Sequence, residues 1–455
     1  MRVLHAIHDF LPRHRAGSEI YAAHLAREQS RTHHVTILAA EYEPARAHGS
    51  LDWRTWQGLA VVELTNNWAF DGFADTYGSP ALAVTLDHVL RATLPDVLHV
   101  HNLLNLSLDL PRLARARGIP TVATLHDFTL VCPSGGQRVH LAEQHVCETI
   151  DVARCARCFP QSPFHAQMAF AGLAGPARVL GPVARLGGAL RQRLPRVTRR
   201  LEAAASRVAA PALRPADVRA RLAKAREVFE TIALFVAPSA ALAADFRRFG
   251  LPADKLRVSD YGFPPLAGRP PAAENGRATG PLRIGFVGTL VWHKGVHVLI
   301  DAARALPAGA FEVLLFGDPR TFPDYTATLR ERAAGLAVRF MGAFDEASAR
   351  ESYAAMDVLV VPSLWPENSP LVIHEAFMAG VPVVGARTGG IPALVTDGVN
   401  GLLYDAASAP DLAGALRALL EDRARLRRFA AAAPAVKTIE QDAREWDAIY
   451  REVTG

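Results

Sequence analysis

Short apolar runs recur along the whole chain, and each is followed by a polar or glycine-containing loop. Several of these loops lead into segments whose apolar residues have helical spacing. Uninterrupted apolar runs are typical of strands buried on both faces of a parallel sheet, so we predict an α/β chain. The predicted strands are 3–7, 35–39, 60–64, 96–102, 121–125, 235–239, 256–258, 282–288, 381–386 and 402–404.

Two glutamates, Glu367 and Glu375, lie eight positions apart around a predicted helix start. Ser369-Pro370 has the residue types of an N-cap and a first helical residue, and the apolar run from Leu371 continues as a short helix. Gly380 is expected to end it with a left-handed cap. The free amides and positive dipole end of a helix N-terminus suit a phosphate. A phosphorylated sugar with hydroxyls on either side fits this pattern, and two surface glutamates are the alternative.

A loop upstream of this pair carries a lysine in a position that suits a phosphate. The predicted strand 282–288 ends in glycine, and the loop 289–295 leads into a predicted helix over 296–306. Such a strand, glycine, loop and helix form half of a phosphate-binding βαβ unit. Lys294 is one of only four lysines, although lysine and arginine together number 50. A compact, flexible charge is therefore notable here, and a solvated surface lysine is the alternative.

Two predicted strands of the N-terminal half end in polar residues. The strand 96–102 emerges at His101, and the strand 121–125 is followed by His126 and Asp127. The carboxyl ends of parallel strands line one edge of a sheet, so both positions are expected to face one cleft. Most of the 17 histidines, His99 included, are expected to be structural.

The four cysteines, Cys132, Cys147, Cys155 and Cys158, all fall within one short segment, and the last two form a C-x2-C knuckle. Disulfides are disfavoured in a cytoplasmic chain, so four thiolates predict a tetrahedral structural zinc. A closed site of this kind leaves no position for catalysis. Buried, redox-inert thiols are the alternative.

Composition limits the class of protein. A chain of 455 residues with half of them apolar is expected to hold two or three globular domains. No stretch of 18 apolar residues lacks a charge, and the start predicts a strand rather than a signal peptide, so we expect a cytoplasmic protein. The net charge of +5 suits an anionic lipid or substrate. Nothing resembles a nucleic-acid-binding module, so no nucleic-acid partner is expected.

A basic stretch within 176–228 has leucines at helical spacing and many arginines, and Pro195 is expected to split its helix. A basic amphipathic helix can lie on an anionic membrane surface, where lipid-linked acceptors are found. We therefore expect either peripheral membrane contact or a solvated arginine face whose leucines pack on the N-terminal domain.

The stretch from Gly285 to Leu403 resembles the nucleotide-sugar domain of the retaining glycosyltransferases of family GT4. This resemblance implies the GT-B fold, in which two Rossmann-like, doubly wound α/β domains face a central cleft. A subset of the family shares the cysteine-rich segment. The matching positions are Gly285–Gly288, Lys294–Gly295, Pro362–Ser363, Glu367 with Glu375, Gly380–Val384, Gly389–Gly390 and Asn400–Leu403.

The resemblance also implies roles for single residues. Lys294 would contact the donor diphosphate, Glu375 the ribose hydroxyls and Glu367 the transferred sugar. The family's Thr-x-His-Asp motif would place His126 beside that sugar, so His126, Glu367 and Lys294 are the expected catalytic residues. The further donor-binding positions are Gly17, Gly288, Asn368, Ser369, Pro370 and Leu371.

Two departures from the family pattern matter. Many relatives have an arginine beside the glycine equivalent to Gly288, whereas this chain has Thr289 and Leu290. Either Lys294 and the helix amides carry the phosphate charge alone, or another arginine reaches the site. In the family's glycine loop before the first helix, Ala16 stands where a first glycine is common.

The expected domains are an acceptor-side domain over 1–261, with the cysteine-rich insert 132–158 and the basic segment 176–228, and a nucleotide-sugar domain over 282–435. A linker over 262–281 would join them, and a helix within 436–455 would cross back onto the first domain, as in relatives.

The expected function is transfer of a sugar, with retention, from a UDP- or GDP-linked donor to an acceptor hydroxyl. Cell-surface glycan or glycolipid synthesis would be the setting. No Asp-x-Asp motif is evident, so no catalytic metal is required. The alternatives are a phosphorylase or epimerase of the same fold, and a non-catalytic zinc-bearing scaffold protein.

Overall fold

The computed structural model describes residues 1–140, 143–162, 164–165, 167–168, 213–267, 280–344 and 346–455. The strands in these residues form two large sheets and one two-stranded sheet. The strands are β1 (Arg2–Ile7), β2 (His34–Glu41), β3 (Leu51–Trp56), β4 (Leu59–Thr65), β5 (Val97–Val100), β6 (Thr121–Thr124), β7 (Val139–His140), β8 (His145–Val146), β9 (Leu234–Ala237), β10 (Leu256–Val258), β11 (Leu282–Val287), β12 (Phe311–Phe316), β13 (Val338–Gly342), β14 (Val358–Val361), β15 (Val383–Ala386) and β16 (Gly401–Tyr404).

Both large sheets have a doubly wound strand order. The N-terminal sheet runs β10-β9-β6-β5-β1-β2-β4-β3, and the C-terminal sheet runs β13-β12-β11-β14-β15-β16. Only the edge strand β3 pairs antiparallel in these two sheets as described. The direction of winding reverses between β1 and β5 and again between β11 and β14, and ligands bind at such switch points. The prediction of two doubly wound α/β units is confirmed.

The helices cover both faces of the sheets, because the strands carry apolar side chains on both faces. Within β1, Leu4 and Ala6 pack into one hydrophobic cluster, whereas Val3 and Ile7 pack into the cluster on the opposite face. This alternation follows from the two-residue period of a strand. The helices are Gly17–Gln29, Asp75–Gly78, Pro80–Thr93, Leu110–Arg115, Val152–Cys158, Pro215–Thr231, Ala240–Arg248, Val296–Ala303, Pro323–Arg332, Ala349–Ala354, Leu371–Met378, Ile391–Leu394, Ala409–Glu421, Ala424–Ala431 and Ile439–Thr454.

The last helix, Ile439–Thr454, lies against the N-terminal sheet, and we call it the crossing helix. Asp442 accepts a hydrogen bond of 2.8 Å from the Tyr21 hydroxyl, and the Trp446 indole donates to that hydroxyl over 3.1 Å. Trp446 is 2% exposed, so the contact belongs to the core. The two ends of the chain are therefore packed together.

Several predicted segments fall wholly or partly outside the described residues. Of the basic segment 176–228, only 213–228 is described, and it forms most of the helix Pro215–Thr231. Residues 268–279 of the predicted linker also lie outside. No helix among the described residues combines the length and apolar character that crossing a membrane requires.

Candidate functional site

Two loops leave the C-terminal sheet at its switch point and bring Lys294 to Glu367. Lys294 ends a short 3-10 turn, Trp292–Lys294, in the loop after β11, and Glu367 lies in the loop after β14. The Lys294 Nζ is 2.7 Å from the Glu367 Oε1. The sequence therefore places a cation and a carboxylate in contact at the edge where doubly wound sheets bind ligands.

Close backbone packing fixes these loops relative to each other. Gly295 has a φ of 71°, and a Cβ atom there would lie 1.8 Å from the Pro362 carbonyl oxygen. No other residue type fits this position without moving one loop. The Leu364 amide also donates to the His293 carbonyl over 2.8 Å.

Glu367 is a buried carboxylate with two donors on one oxygen. It is 6% exposed, and the Ser363 hydroxyl donates to its Oε1 over 2.5 Å. Burial raises the pKa of Glu367, but the Lys294 charge and the hydrogen bonds from Lys294 and Ser363 outweigh it, so the pKa is below its ordinary value. Glu367 is therefore ionised at neutral pH. The Lys294 side chain keeps 28% exposure, so its remaining donors can meet a ligand.

Two glycines support the backbone beneath Glu367. The Gly390 amide donates to the Glu367 carbonyl over 2.6 Å. A Cβ at Gly389 would lie 2.2 Å from that carbonyl oxygen, and one at Gly390 would lie 1.9 Å from the Asn368 carbonyl oxygen. The motif Gly389-Gly390 thus lets the loop after β15 pack directly against the loop after β14, which carries Glu367.

Glu375 lies on the helix Leu371–Met378, which we call the site helix, one turn from its start. The Tyr353 hydroxyl donates to the Glu375 Oε2 over 2.6 Å. Burial raises the pKa of Glu375, and the hydrogen bond from Tyr353 opposes this only in part. Gly380, with a φ of 70°, follows the helix as predicted.

The predicted cap of the site helix is wrong by one residue. The helix begins at Leu371 with Pro370 at the N-cap, and within the described part of the chain no side chain caps it. The Ser369 hydroxyl instead donates to Asp260 over 2.7 Å and lies 2.9 Å from the His374 Nε2. Ser369 therefore joins the two halves of the chain, because a carboxylate from the N-terminal half competes successfully for its hydroxyl.

Other predicted donor-binding residues also face the N-terminal half. The Asn368 side-chain amide donates to the His126 carbonyl. A Cβ at Gly17 would lie 3.2 Å from the Leu371 Cδ1, so the start of the helix Gly17–Gln29 meets the start of the site helix. Gly288, with a φ of 149°, follows β11 as the sequence indicated. The structure thus brings both sets of strand ends to one cleft.

The His126 ring does not offer a free nitrogen to this cleft. Its Nε2 is 3.0 Å from the His101 Nδ1, and its Nδ1 is 2.9 Å from the Tyr261 hydroxyl oxygen. Burial lowers the pKa of His126 to about 3, so the ring is neutral. The structure places His101 and His126 together, as expected, and adds Tyr261, which no sequence pattern indicated.

A second polar cluster at the cleft was also missed. His8 and Asp9 directly follow β1, and the His8 Nε2 lies 3.2 Å from the Glu19 carboxylate. Glu19 caps its own helix by accepting from the Ala16 amide over 3.1 Å. The position of these residues after a strand at the switch point is the signal that could have found them.

The missing arginine beside Gly288 has no replacement in the same loop. Thr289 is exposed and Leu290 is fully buried. An arginine from the other half does cross over: an Nη atom of Arg15 lies 3.3 Å from Glu346, which also pairs with His24 over 2.8 Å. Arg15 is therefore engaged by a carboxylate in this structure.

All four cysteines line one cavity, together with Arg138 and Arg154. Burial and the neighbouring thiols raise the pKa of Cys155 to about 12 and that of Cys158 to about 11. The cysteine sulfurs are not among the sets of three ligand atoms that lie within 4.8 Å of one another in the described residues. The thiols are thus grouped, but metal binding would require them to move closer together.

The comparison with protein families agrees with this architecture. Residues 15–179 match the family described as Glycosyltransferase Family 4, and residues 281–422 match Glycosyl transferases group 1. The first match includes strands β2 to β6 of the N-terminal sheet, and the second includes all six strands of the C-terminal sheet. The chain belongs to glycosyltransferase family 4.

Curated relatives match over a shorter stretch. The D-inositol 3-phosphate glycosyltransferase of Corynebacterium glutamicum is 37% identical over 147 residues, which is 30% of this chain and 35% of the relative. That of Nocardia farcinica is 38% identical over 169 residues, covering 34% of this chain and 37% of the relative. The chain thus matches little more than a third of the length of these relatives.

Solved structures match over nearly the whole chain. HepE from Anabaena, crystallised with UDP and glucose, has a TM-score of 0.64 at 17% identity, covering 99% of this chain and 100% of its own. Sucrose-phosphate synthase from Thermosynechococcus elongatus has a TM-score of 0.65 at 17% identity, covering 99% and 98%. At this identity the likeness shows the fold, which is GT-B.

The Lys294–Glu367 pair leads to a prediction about stability without ligand. Lys294→Met leaves a buried carboxylate unpaired, and losing one partner of a buried pair costs about 3–5 kcal/mol. We expect a loss at the lower end of that range, because the ammonium is partly exposed. The double variant with Glu367→Gln should lose less than the sum of the single variants.

Urea unfolding of the single and double variants measures this coupling. Arg320→Met is the matched control, because Arg320 pairs with Asp318 while its side chain stays 85% exposed and surface pairs contribute little. Strictly additive losses for Lys294→Met and Glu367→Gln would show that the two side chains do not interact.

Proposed function

We propose that this protein is a retaining glycosyltransferase that moves a sugar from a nucleotide diphosphate sugar to an acceptor hydroxyl. The observation that carries the proposal is the contact between Lys294 and the buried, ionised Glu367. That contact lies at the switch point of the C-terminal sheet, beside the start of the site helix. Family membership supports the same reading.

Each group has a chemical task in this proposal. The departing diphosphate gains negative charge as the sugar bond breaks, and Lys294 with the first amides of the site helix would stabilise it there. Glu375 would hold the ribose hydroxyls, and Glu367 a hydroxyl of the transferred sugar. Gly17 would allow the donor to pass close to the backbone.

Retention is the finer part of the proposal. No side chain stands out as a nucleophile, so the acceptor hydroxyl would attack from the side of the leaving diphosphate and give its proton to a diphosphate oxygen. Lys294 and the helix amides would supply the charge stabilisation, so the proposal does not require a divalent ion. Transfer that is insensitive to a chelator is expected.

The donor base and the setting are also proposals. HepE has been crystallised with UDP-glucose, which favours a uridine donor, and GDP-linked donors are the alternative. WaaG, whose structure has a TM-score of 0.56 at 15% identity, is described as involved in lipopolysaccharide biosynthesis. We propose a glycan or lipid-linked acceptor of the cell surface, met in the cytoplasm at an anionic membrane surface; the basic sequence around 176–212 is its support.

We also propose that the four cysteines bind one structural zinc ion. All four line one cavity, and thiols with raised pKa values are neutral unless a cation stabilises their thiolates. Zinc would draw the sulfurs together and fix the insert that follows His126 and Asp127. The alternative function is that of a non-catalytic scaffold protein that carries this zinc. That alternative does not explain why Lys294, Glu367 and Glu375 are present at the cleft.

The function is tested first by binding and then by turnover. UDP- or GDP-sugars should raise the melting temperature of the wild type, because ligand at 100 times Kd stabilises by about 2.7 kcal/mol. Glu375→Ala should lose this shift, and Glu367→Ala should mainly lower turnover. Lys294→Ala should lower turnover more than Lys294→Arg does, because the arginine keeps the positive charge. Glu331→Ala, on the exposed face of a helix in the same domain, is the control.

The anomer of the product distinguishes the remaining possibilities. Nuclear magnetic resonance of the transferred sugar should show the same anomeric configuration as in the donor. No stabilisation by any nucleotide sugar, together with phosphate-dependent cleavage of a glycoside, would favour a phosphorylase instead.

The zinc proposal has its own test. Protein purified under reducing conditions should carry about one equivalent of zinc, since four thiolates form a closed tetrahedral site. Chelation and Cys155→Ser should lower the melting temperature, whereas Glu148→Ala, at an exposed position within the insert, should not. Nucleotide binding should be unaffected by chelation and by Cys155→Ser, because Lys294 and Glu375 lie in the other domain. Metal-free protein with an unchanged melting temperature in Cys155→Ser would leave these residues as ordinary thiols.

A further inference from the structure

A continuous row of buried side chains leads from His126 into the N-terminal sheet. The His101 Nδ1 faces His126, and the His101 Nε2 is 2.9 Å from the His5 Nδ1. The His5 Nε2 is in turn 2.9 Å from the Gln29 Oε1. His5, His101 and Gln29 are each at most 3% exposed, so no bulk water competes for these nitrogens.

The row continues to the crossing helix. The Gln29 Nε2 donates to the Tyr450 hydroxyl over 3.2 Å, and that hydroxyl lies 2.7 Å from the His99 Nδ1. The His99 Nε2 lies 2.8 Å from the Thr124 hydroxyl oxygen. The chain of contacts therefore joins the cleft, the sheet and the end of the polypeptide.

The chemistry of these groups gives the chain a direction. A neutral imidazole has one donor and one acceptor nitrogen, and burial lowers the pKa of His5 to about 4, so its ring is neutral. An amide oxygen only accepts, so the His5 Nε2 carries the hydrogen and its Nδ1 accepts from the His101 Nε2. The His101 Nδ1 then accepts from the His126 Nε2, which leaves the His126 Nδ1 as an acceptor.

We infer that the Gln29 side-chain amide sets the tautomer of His126 through His5 and His101. Turning that amide over would reverse each hydrogen bond and convert the His126 Nδ1 from an acceptor into a donor. The Tyr450 hydroxyl matches the present orientation, because it can accept from the Gln29 Nε2 and donate to the His99 Nδ1. Gln29 is thus a positioning residue for His126.

The tautomer decides which ligand group His126 can meet. The acceptor Nδ1 is filled by the Tyr261 hydroxyl, and a sugar hydroxyl that donates can take the place of Tyr261. A carboxylate or phosphate oxygen cannot, because both nitrogen and oxygen would be acceptors. This consequence rests on the proposed function, whereas the assignment of the tautomer does not.

A metal ion is a different explanation for part of this cluster, since one ligand atom from each of His5, His99 and His101 lies within 4.8 Å of the others. Every ring nitrogen of these three residues already has a protein partner within 2.7–3.0 Å. The hydrogen-bonded chain therefore accounts for the cluster without a metal.

Nitrogen resonances of the histidines test the inference without any substrate. In ¹⁵N-histidine-labelled protein at neutral pH, His5, His101 and His126 should each show a protonated Nε2 and a bare Nδ1. Gln29→Glu keeps an acceptor for His5 and should keep this pattern. Gln29→Met, of similar size, should lose the single tautomer at His126. Tyr404→Phe is the control, because the buried Tyr404 hydroxyl has no hydrogen-bond partner among the residues that the structure describes.

Two results would overturn the inference: a protonated Nδ1 on His126 in the wild type, or an unchanged pattern in Gln29→Met. If the transferase proposal holds, Gln29→Met should also lower kcat by about fivefold, the usual contribution of a neutral hydrogen bond. Nucleotide affinity should stay unchanged, and Gln29→Glu should restore turnover. A protein without transferase activity would leave the resonance experiment equally informative.

Discussion

The ion pair between Lys294 and Glu367 is the interaction on which the arrangement of the cleft depends. A buried carboxylate without a partner is costly, so the loop after β11 must stay against the loop after β14. Gly295 permits this approach, because a Cβ atom there would collide with the Pro362 carbonyl oxygen. Gly389 likewise lets the loop after β15 pack against the backbone of Glu367. The charges and the glycines of the site are therefore parts of one constraint.

The residues that follow Glu367 extend this constraint to the other half of the chain. Asn368 donates to the His126 carbonyl, and Ser369 donates to Asp260. The same few residues thus hold a charged pair on one side and contact the N-terminal sheet on the other. A donor bound at Lys294 would lie where both sheets can act on it, as the proposed transfer requires.

Sequence patterns predicted most of the strands that carry a continuous apolar run. Those strands were placed within a few residues, and Leu256–Val258 was placed at its observed bounds. The buried strands Phe311–Phe316 and Val358–Val361 were not among those predicted. The edge strand Leu51–Trp56 was missed, because it is only half-buried and carries an exposed Trp53. A strand that packs on one face gives a weaker apolar run than a central strand.

The positions of the site residues were predictable where a local motif determines the backbone conformation. They were not predictable where residues that are distant in sequence compete for a hydrogen bond. The pattern of glycines and charged residues in the sequence was enough to single out Lys294, Glu367 and the Gly389-Gly390 turn. The cap at Ser369 was wrong because Asp260 takes its hydroxyl. The contact between His126 and Tyr261 was not predicted either, since Tyr261 is 135 positions away and belongs to no motif.

The most direct test of the central claim compares nucleoside monophosphate and diphosphate binding by the wild type and Lys294→Met. Calorimetry with UMP and UDP, or GMP and GDP, isolates the contribution of the second phosphate. Hydrogen bonds to charged groups contribute about 1.5–3 kcal/mol, so the wild type should prefer the diphosphate by at least about tenfold. Lys294→Met should lose most of that preference. An equal preference in both proteins would contradict the assignment of Lys294 to the diphosphate.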